Sequence, residues 1–223
     1  MSDAPELLWD GDPGAVPTVL FAHGAGADCR HEWMTAVARG LAAHGLRVAR
    51  FDFPYMAARA RGERRPPDRT PQLLACLRAA AAATGAAPAQ LVLAGKSMGG
   101  RMATMLADEL QAAGVVAFGY PFHPPRKPEQ LRTAHLETLR TPTLILHGER
   151  DPFGTRAEVE GYRLSPAIEV EFFADGDHSL APRKKSGQTR EGHLARAIER
   201  AATFARDAAA ARRGGQGGAS TLA

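Results

Sequence analysis

The sequence predicts an α/β protein with a doubly wound, mostly parallel sheet of about six or seven strands. Two observations support this prediction. Short apolar runs, typical of strands buried on both faces, alternate along the chain with segments of helical period. Glycines or clusters of polar residues follow most of these runs. Because ligands of such sheets bind beyond the carboxyl ends of the strands, functional residues are expected where the apolar runs end.

Composition and length indicate one domain. The chain has 223 residues and a formal net charge of +4. The basic residues are scattered, which argues against a nucleic-acid-binding face. Two cysteines, Cys29 and Cys76, are too few for a disulfide framework. The N-terminal residues include no apolar signal region, and no run of about 18 apolar residues occurs, so we expect a cytoplasmic protein that does not bind membranes.

The first half of the chain contains three predicted strands. Residues 1–16 hold at most a short strand near Leu7–Trp9 and are placed before the domain, which is expected to span 17–210. The three strands are Pro17–Ala22, Leu46–Phe53 and Leu91–Ala94. The helices predicted between them are Trp33–His44 and Gln72–Ala83. The Arg- and Pro-rich stretch that ends at Pro71 is expected to be a long, mobile loop.

The second half of the chain continues the alternation. Its predicted strands are Val115–Gly119, Thr143–Leu146 and Ile168–Phe173. Its predicted helices are Met98–Leu110, Glu129–Thr138, Ala157–Tyr162 and Arg190–Ala210. Residues 211–223 are rich in glycine and are expected to be a disordered tail.

The segment Leu91–Arg101 is the most informative stretch of the sequence. It predicts a strand that breaks sharply into a helix at G-K-S-M-G, residues 95–99. This spacing in this context is typical of a nucleophile elbow, which makes Ser97 the candidate nucleophile. So tight a turn requires glycine at 95 and 99, because a Cβ there would clash with the following helix. We expect Ser97 to adopt a strained backbone conformation, which costs on the order of 1–3 kcal/mol.

The glycine motifs permit other interpretations. The G-x-S-x-G spacing could arise by chance in a chain with 23 glycines. Gly95-Lys96-Ser97 resembles the end of a phosphate-binding loop, but Gln90 stands where that motif requires a glycine. The glycines of His23–Asp28 resemble a dinucleotide fingerprint whose third glycine would fall at Cys29. We therefore expect no nucleotide, other cofactor or metal; the His23–Asp28 turn could instead supply backbone N–H groups to a site.

A serine hydroxyl is a weak nucleophile at neutral pH, so Ser97 requires a nearby base and a third group that orients the base. His178 follows the last predicted strand and is the best candidate base. Asp151 follows the preceding strand and is the best orienting acid. Asp175 and Asp177 lie nearer to His178 in the sequence, but we expect them to shape its turn.

The chain order Ser97, Asp151, His178 resembles that of the α/β-hydrolase superfamily. The resemblance covers roughly residues 17–210 and begins at what that family would call its third strand. The chain is similar to compact members without a cap domain. These are the dienelactone-hydrolase-like proteins and the family of testis-expressed hydrolase-like proteins and the hydrolase-like subunit of the NSL chromatin complex. The segments HGAGAD, FDFPY and GKSMGGR resemble the second group, whereas dienelactone hydrolases use cysteine at the position of Ser97.

The resemblance implies a serine hydrolase that cleaves esters or thioesters through a covalent acyl-enzyme. It also implies an oxyanion hole built from the backbone N–H groups of Met98 and Ala25. Because the connection after Tyr120 is too short for a cap, we expect an open site that suits small acyl groups. The residues expected to rim the site and bind substrate are Tyr55, Tyr120, Phe122 and Phe153.

The alternative function is a hydrolase-fold interaction module with a vestigial triad, because one branch of the resembling family serves in a protein complex. An intact Ser97, Asp151 and His178 weighs against this alternative. Lys184 and Lys185 could attract a carboxylate, although a solvated pair of charges is the simpler interpretation. The sequence leaves open the natural substrate, the choice among ester, thioester and amide, and the presence of a homo-oligomer.

Overall fold

One sheet organises the protein, as seen in a computed structural model that describes residues 4–217. Its seven strands are β1 Leu8–Asp10, β2 Thr18–Ala22, β3 Arg47–Phe51, β4 Leu91–Lys96, β5 Gly114–Phe118, β6 Thr143–Gly148 and β7 Ile168–Phe173. Their order across the sheet is β1-β3-β2-β4-β5-β6-β7. Strands β2 to β7 pair in parallel, and β1 pairs antiparallel with β3. The predicted doubly wound, mostly parallel sheet is confirmed.

Helices cover both faces of the sheet. The α-helices in residues 4–217 are α1 Glu32–Ala43, α2 Pro54–Ala60, α3 Thr70–Ala83, α4 Met98–Leu106, α5 Arg156–Val159 and α6 Arg190–Gly217. Short 3-10 turns occur at Pro88–Gln90, Ala134–Glu137 and Lys184–Ser186. Helices α1 and α6 pack on one face, and α3 and α4 pack on the other. None of these helices, in the part of the chain that the structure describes, offers a stretch long and apolar enough to cross a bilayer.

Strand β2 shows why the strands are continuously apolar. Val19 and Phe21 point into the core shared with α1 and α6, whereas Leu20 and Ala22 point into the core shared with α3 and α4. Successive side chains of a strand alternate between faces, so both faces of a central strand need apolar residues. Full burial of each large side chain contributes about 1.5–3 kcal/mol. The sheet therefore holds the ends of its strands rigidly, and these ends carry the candidate site.

The N-terminal segment belongs to the sheet rather than preceding the domain. Strand β1 pairs with β3, and Asp10 accepts a hydrogen bond of 2.9 Å from Nε of the buried Arg50. The side chain of Arg47 also lies over the ring of Trp9, 3.9 Å from its centroid. These contacts across the strands explain why so short a segment forms an edge strand. The expected domain start at residue 17 is thus too late.

The Arg- and Pro-rich stretch, expected to be one long, mobile loop, is a loop only after a short helix. It begins with helix α2, where Pro54 stands at the first helical position and presets the backbone for a helix. Asp68 then folds back, and its Oδ2 accepts a hydrogen bond of 2.8 Å from the backbone N–H of Tyr55. This bond satisfies a donor that has no partner within the first turn of a helix.

Among the predicted helices whose lengths differ from the structure, two differ most. The expected helix Glu129–Thr138 is reduced to a 3-10 turn, because Arg132 donates its backbone N–H to Phe122 instead, at 2.7 Å. Helix α6 extends to Gly217, beyond the expected end at Ala210. The run of Ala and Arg over 208–213 favours the helix, whereas the glycines that follow do not. The expected disordered tail is therefore helical over 211–217, and 218–223 lie outside the described residues. Residues 119–142, between β5 and β6, contain no α-helix that could act as a cap.

Candidate active site

Ser97 lies at the sharp turn between β4 and α4. Its backbone has φ 51° and ψ −113°, the strained left-handed side of the map expected for it. A Cβ on Gly95 would overlap the backbone of Gly99, and one on Gly99 would overlap the carbonyl of Ala22, which confirms the steric need for both glycines. The N–H of Ser97 donates to the carbonyl oxygen of Phe118 at 3.0 Å, so neighbouring strands hold the strained residue in place.

Three side chains that lie far apart in the sequence meet at this turn. Nε2 of His178 lies 2.8 Å from Oγ of Ser97, and Nδ1 of His178 lies 2.7 Å from Oδ2 of Asp151. Asp151 is fully buried, whereas the His178 side chain is 21% exposed. Because an ionised carboxylate only accepts hydrogen bonds, we assign the proton of His178 to Nδ1. Nε2 is then free to accept the hydroxyl proton of Ser97.

The Asp151 carboxylate is held from several sides. Its Oδ1 accepts the backbone N–H of Phe153 at 2.9 Å, which leaves Oδ2 for His178. The ring of Phe153 lies against the imidazole of His178, with centroids 4.3 Å apart and planes inclined by 32°. His147 is fully buried beside the same carboxylate, with Nε2 3.6 Å from Oδ2. The short loop after β6 thus contacts the His178 ring twice, with Asp151 at its edge and Phe153 against its face.

The two acids nearest to His178 in the sequence have structural partners. Oδ1 of Asp177 accepts the backbone N–H groups of Ser179 at 2.8 Å and Ala181 at 3.0 Å, which closes the turn around His178. Asp175 accepts a hydrogen bond of 2.8 Å from Nε of Arg183. The expectation that these acids shape the turn is confirmed, and neither contacts the imidazole through a hydrogen bond.

The surroundings of His178 favour the neutral imidazole. Burial lowers the pKa of His178, the hydrogen bond to Asp151 raises it, and the positive charge of Lys96 lowers it; the net shift is downward from the ordinary 6.5. A base must be unprotonated to accept a proton, so a lowered pKa keeps more of the imidazole competent in mildly acidic solution.

The loop after β2 passes beside Ser97. A Cβ on Gly24 would lie 3.7 Å from Cβ of Ser97. Nδ1 of the buried His23 lies 2.6 Å from the carbonyl oxygen of Gly24, and its Nε2 accepts the backbone N–H of Phe53 at 3.0 Å. On the other side of Ser97, Met98 is the first residue of α4, where a backbone N–H has no partner within the helix. The loop after β2 and the start of α4 therefore both lie beside Ser97.

A cavity of about 330 Å³ opens in front of Ser97 and His178. The loop after β2, the start of α1 and the start of α6 form its walls. Its other lining residues are Gly24, Ala25, Gly26, Ala27, His31, Trp33, Met34, Lys96, Phe153, Ser179 and Arg190. Of the four aromatic residues expected at the rim, Phe153 alone lines this cavity.

The prediction that Tyr55, Tyr120 and Phe122 rim the site is wrong, because all three are fully buried. The Tyr120 hydroxyl donates to the carbonyl oxygen of Arg132 at 2.9 Å, and the rings of Tyr120 and Phe122 pack with centroids 4.8 Å apart. The hydroxyl of Tyr55 lies 3.1 Å from the carbonyl oxygen of Ala25. Their aromatic rings fill the core beneath the strand ends, where burial stabilises them more than exposure at a rim would.

Sequence reasoning assigned neither Lys96 nor Trp33 to the cavity, and it also missed His31, Met34, Ser179 and Arg190. In the sequence Lys96 is a variable position of the G-x-S-x-G motif and part of the rejected phosphate-loop resemblance, although it directly precedes the candidate nucleophile. Trp33 was seen only as the start of a helix, and its role as a wall of the cavity follows from the packing of α1. For Lys96, the sequence signal was its position directly before Ser97.

Solved structures with the same fold cover most of this chain. XC6422 from Xanthomonas campestris, described as an α/β serine hydrolase without lid, has a TM-score of 0.65 at 17% identity over 92% of this chain and 90% of that chain. The dienelactone hydrolase of Anabaena variabilis has a TM-score of 0.64 at 23% identity over 89% of each chain. Est1E from Butyrivibrio proteoclasticus has a TM-score of 0.68 at 14% identity over 92% and 94% of the two chains.

These TM-scores show a common fold. A search of the curated proteins finds no match. The family Abhydrolase_11, described as an alpha/beta hydrolase domain, matches residues 15–206, a span that includes Ser97, Asp151 and His178. The strand order, the turn at Ser97 and this match agree, and the chain belongs to the alpha/beta hydrolase domain family.

Proposed function

We propose that this hydrolase cleaves a carboxylic ester or thioester of a small acyl group, with Ser97 as nucleophile, His178 as base and Asp151 as orienting acid. The observation that carries the proposal is the continuous pair of hydrogen bonds, 2.7 and 2.8 Å long, from the buried Asp151 through His178 to Ser97. Together with the strained turn at Ser97, this pair matches the geometry by which triads are recognised.

In the first half of the proposed reaction, Oγ of Ser97 attacks the acyl carbon while Nε2 of His178 takes the hydroxyl proton. The imidazolium that forms is stabilised by Asp151, which accepts its Nδ1–H. The tetrahedral intermediate then collapses, and Nε2 returns the proton to the leaving alcohol or thiol. The acyl group stays on Oγ as an ester.

The negative oxygen of the tetrahedral intermediate needs donors that are already in place. We propose the backbone N–H of Met98, at the start of α4, and that of Ala25, in the loop beside Ser97. One such donor is typically worth ~2.7–4 kcal/mol of transition-state stabilisation. In the second half-reaction the same donors act again: Nε2 of His178 takes a proton from water as its oxygen attacks the acyl carbon, and it returns that proton to Oγ of Ser97 as the bond to the acid breaks.

The proposed preference for small acyl groups rests on the size of the cavity. Its volume of about 330 Å³ lies at the lower end of the range of about 300–1,000 Å³ that is usual for ligand sites. Residues 119–142 form no helical cap above Ser97 that could enclose a longer chain. A narrower kinship with the testis-expressed and NSL-subunit hydrolase-like proteins is also proposed, on the segments HGAGAD, FDFPY and GKSMGGR.

Covalent labelling tests the proposal. A fluorophosphonate probe should modify the purified protein, and mass spectrometry should place the adduct on the peptide that contains Ser97 rather than Ser179, the other serine in the cavity. Ser97→Ala should abolish labelling and the hydrolysis of p-nitrophenyl acetate. Ser186→Ala, in the 3-10 turn before α6, is the control and should retain both.

Two results would contradict the proposal. An adduct on Ser179 would mean that the nucleophile is misassigned. A folded protein that neither reacts with the probe nor hydrolyses the ester would favour the interaction module with a vestigial triad.

A further inference from the structure

Lys96 places an ammonium group inside the candidate active site. The residue ends β4, immediately before Ser97, and its side chain lines the cavity. No carboxylate in residues 4–217 forms an ion pair with it. Asp151 and Asp177 favour its positive charge only from beyond ion-pair distance. The ammonium, largely withdrawn from water, therefore needs other contacts to offset the cost of its burial.

The partner of this ammonium is the backbone of the candidate base. Nζ of Lys96 donates a hydrogen bond to the carbonyl oxygen of His178, 82 residues away in the chain. The same nitrogen lies 5.5 Å from the centroid of the Trp33 ring, in the range of a cation–π contact. The Trp33 ring packs edge-on against Phe118, with centroids 5.5 Å apart. The ammonium is thus enclosed between an aromatic ring and the His178 loop.

Gly119 makes this approach sterically possible. Its φ is +65°, and a Cβ there would lie 2.9 Å from Nζ of Lys96 and 3.2 Å from Nδ1 of His178. It would also overlap the carbonyl oxygen of His178. Any side chain at position 119, directly after β5, would therefore separate Lys96 from the His178 loop.

We propose that Lys96 is a positioning residue, whose ammonium ties the His178 loop to the end of β4 and so holds the imidazole in line with the hydroxyl of Ser97. The inference rests on the proposed function, since it concerns the same serine and histidine. Lys96 and Ser97 are adjacent residues at the end of one rigid strand. Ser97 is the proposed nucleophile, and Lys96 binds the loop that carries the proposed base. A shift of the loop relative to Ser97 must then break the Lys96 hydrogen bond.

The charge of Lys96 adds a second effect. The groups that face His178 are Asp151 after β6, Asp177 on its own loop, His147 on β6 and Lys96 on β4. The two carboxylates raise the pKa of His178, whereas Lys96 lowers it; burial lowers the pKa of His147. Burial also lowers the pKa of Lys96 to about 8, so the lysine is charged throughout the range in which His178 titrates.

The test compares wild type with Lys96→Met, which keeps the apolar stem without donor or charge, and with Lys96→Arg, which keeps both. Lys127→Met, on an exposed loop, is the matched control. For Lys96→Met we expect kcat on p-nitrophenyl acetate to fall about 100-fold, as for a misplaced catalytic group, with little change in KM. Its acid limb of kcat/KM should move to higher pH, while Lys96→Arg restores most of kcat and Lys127→Met matches wild type.

An NMR titration of the His178 imidazole, assigned with His178→Gln, gives a readout that does not require turnover. The pH midpoint of the His178 titration should rise in Lys96→Met and should stay near wild type in Lys96→Arg. Lys96→Gln should show the same rise and replaces Lys96→Met if that variant does not fold. An unchanged midpoint in a folded Lys96→Met or Lys96→Gln protein, or an unchanged kcat, overturns the inference. Lack of any Ser97-dependent turnover in wild type would overturn the proposed function, and the titration would still decide on Lys96.

Discussion

Tyr55 lies under the loop that carries Ala25, with its hydroxyl 3.1 Å from the carbonyl oxygen of Ala25 and 3.2 Å from that of Gly24. A phenol has a single proton, which these two oxygens share. The carbonyl of Gly24 and the N–H of Ala25 belong to the same peptide group. A hydrogen bond that holds this carbonyl toward the core therefore also orients the N–H proposed to bind the oxyanion. Burial raises the pKa of Tyr55 to about 12, so the hydroxyl remains a donor at physiological pH.

Removal of this hydroxyl should loosen the loop. In Tyr55→Phe we expect the free energy of unfolding to fall by about 1 kcal/mol, the usual net value of one hydrogen bond. A loosened oxyanion donor should lower kcat on p-nitrophenyl acetate about five- to tenfold with little change in KM. Tyr162→Phe, a half-buried tyrosine away from the loop, is the control. If the kcat of Tyr55→Phe equals that of wild type, the Tyr55 hydroxyl does not contribute to catalysis.

The strained backbone of Ser97 predicts opposite effects on activity and stability. Ser97→Ala should lower kcat by several orders of magnitude, while its free energy of unfolding should stay within about 1 kcal/mol of wild type. Ser97→Gly should be equally inactive but more stable than Ser97→Ala, because glycine adopts φ 51° without a Cβ penalty. Thermal unfolding of the two variants measures this difference. A less stable Ser97→Gly would show that the turn stores no strain.

The three acids near His178 should be separable by mutation. Asp151→Asn should lower kcat by about 10⁴-fold, because an amide facing Nδ1 favours the wrong tautomer of His178. Asp175→Asn and Asp177→Asn should cost far less, since their hydrogen bonds go to Arg183 and to the turn backbone. Steady-state kinetics of the three variants on one ester gives the comparison. Greater damage from either of the latter two would mean that the acid is misassigned.

The size of the cavity predicts acyl-chain selectivity. Across p-nitrophenyl acetate, butyrate, octanoate and palmitate, kcat/KM should peak at the short chains and then decline. A buried CH₂ contributes at most ~0.8 kcal/mol, and only where a pocket can receive it. The cavity of about 330 Å³ leaves little such space beyond a short chain. A steady rise of kcat/KM through octanoate would contradict the prediction and indicate a deeper acyl pocket.

The sheet and the arrangement of its strand ends were predictable because they depend on local patterns. Continuous apolar runs such as Leu91–Ala94 can only be buried on both faces, and alternation with helices permits few topologies. Parallel strands bring their carboxyl ends to one edge, so Ser97, Asp151 and His178 could be assigned to the same edge without knowledge of any contact.

The aromatic residues after the strands were not predictable in the same way. Tyr55 lies in helix α2, which begins at Pro54 and whose first turn is held by Asp68, 13 residues further on, through the backbone N–H of Tyr55. Phe122 is turned inward by packing against Tyr120, two residues before it, and against Tyr162, which lies on a different segment. No periodicity in a loop records such long-range contacts.

By itself the sequence determined the fold class, the strained turn at Ser97 and the chain order of the three polar residues, because backbone sterics and hydrophobic period are encoded over a few neighbouring residues. Tertiary structure alone decided which side chains form the walls of the cavity and that Lys96 reaches the carbonyl of His178. The physical reason is that these contacts join segments tens of residues apart. Their distances depend on how the helices pack on both faces of the sheet.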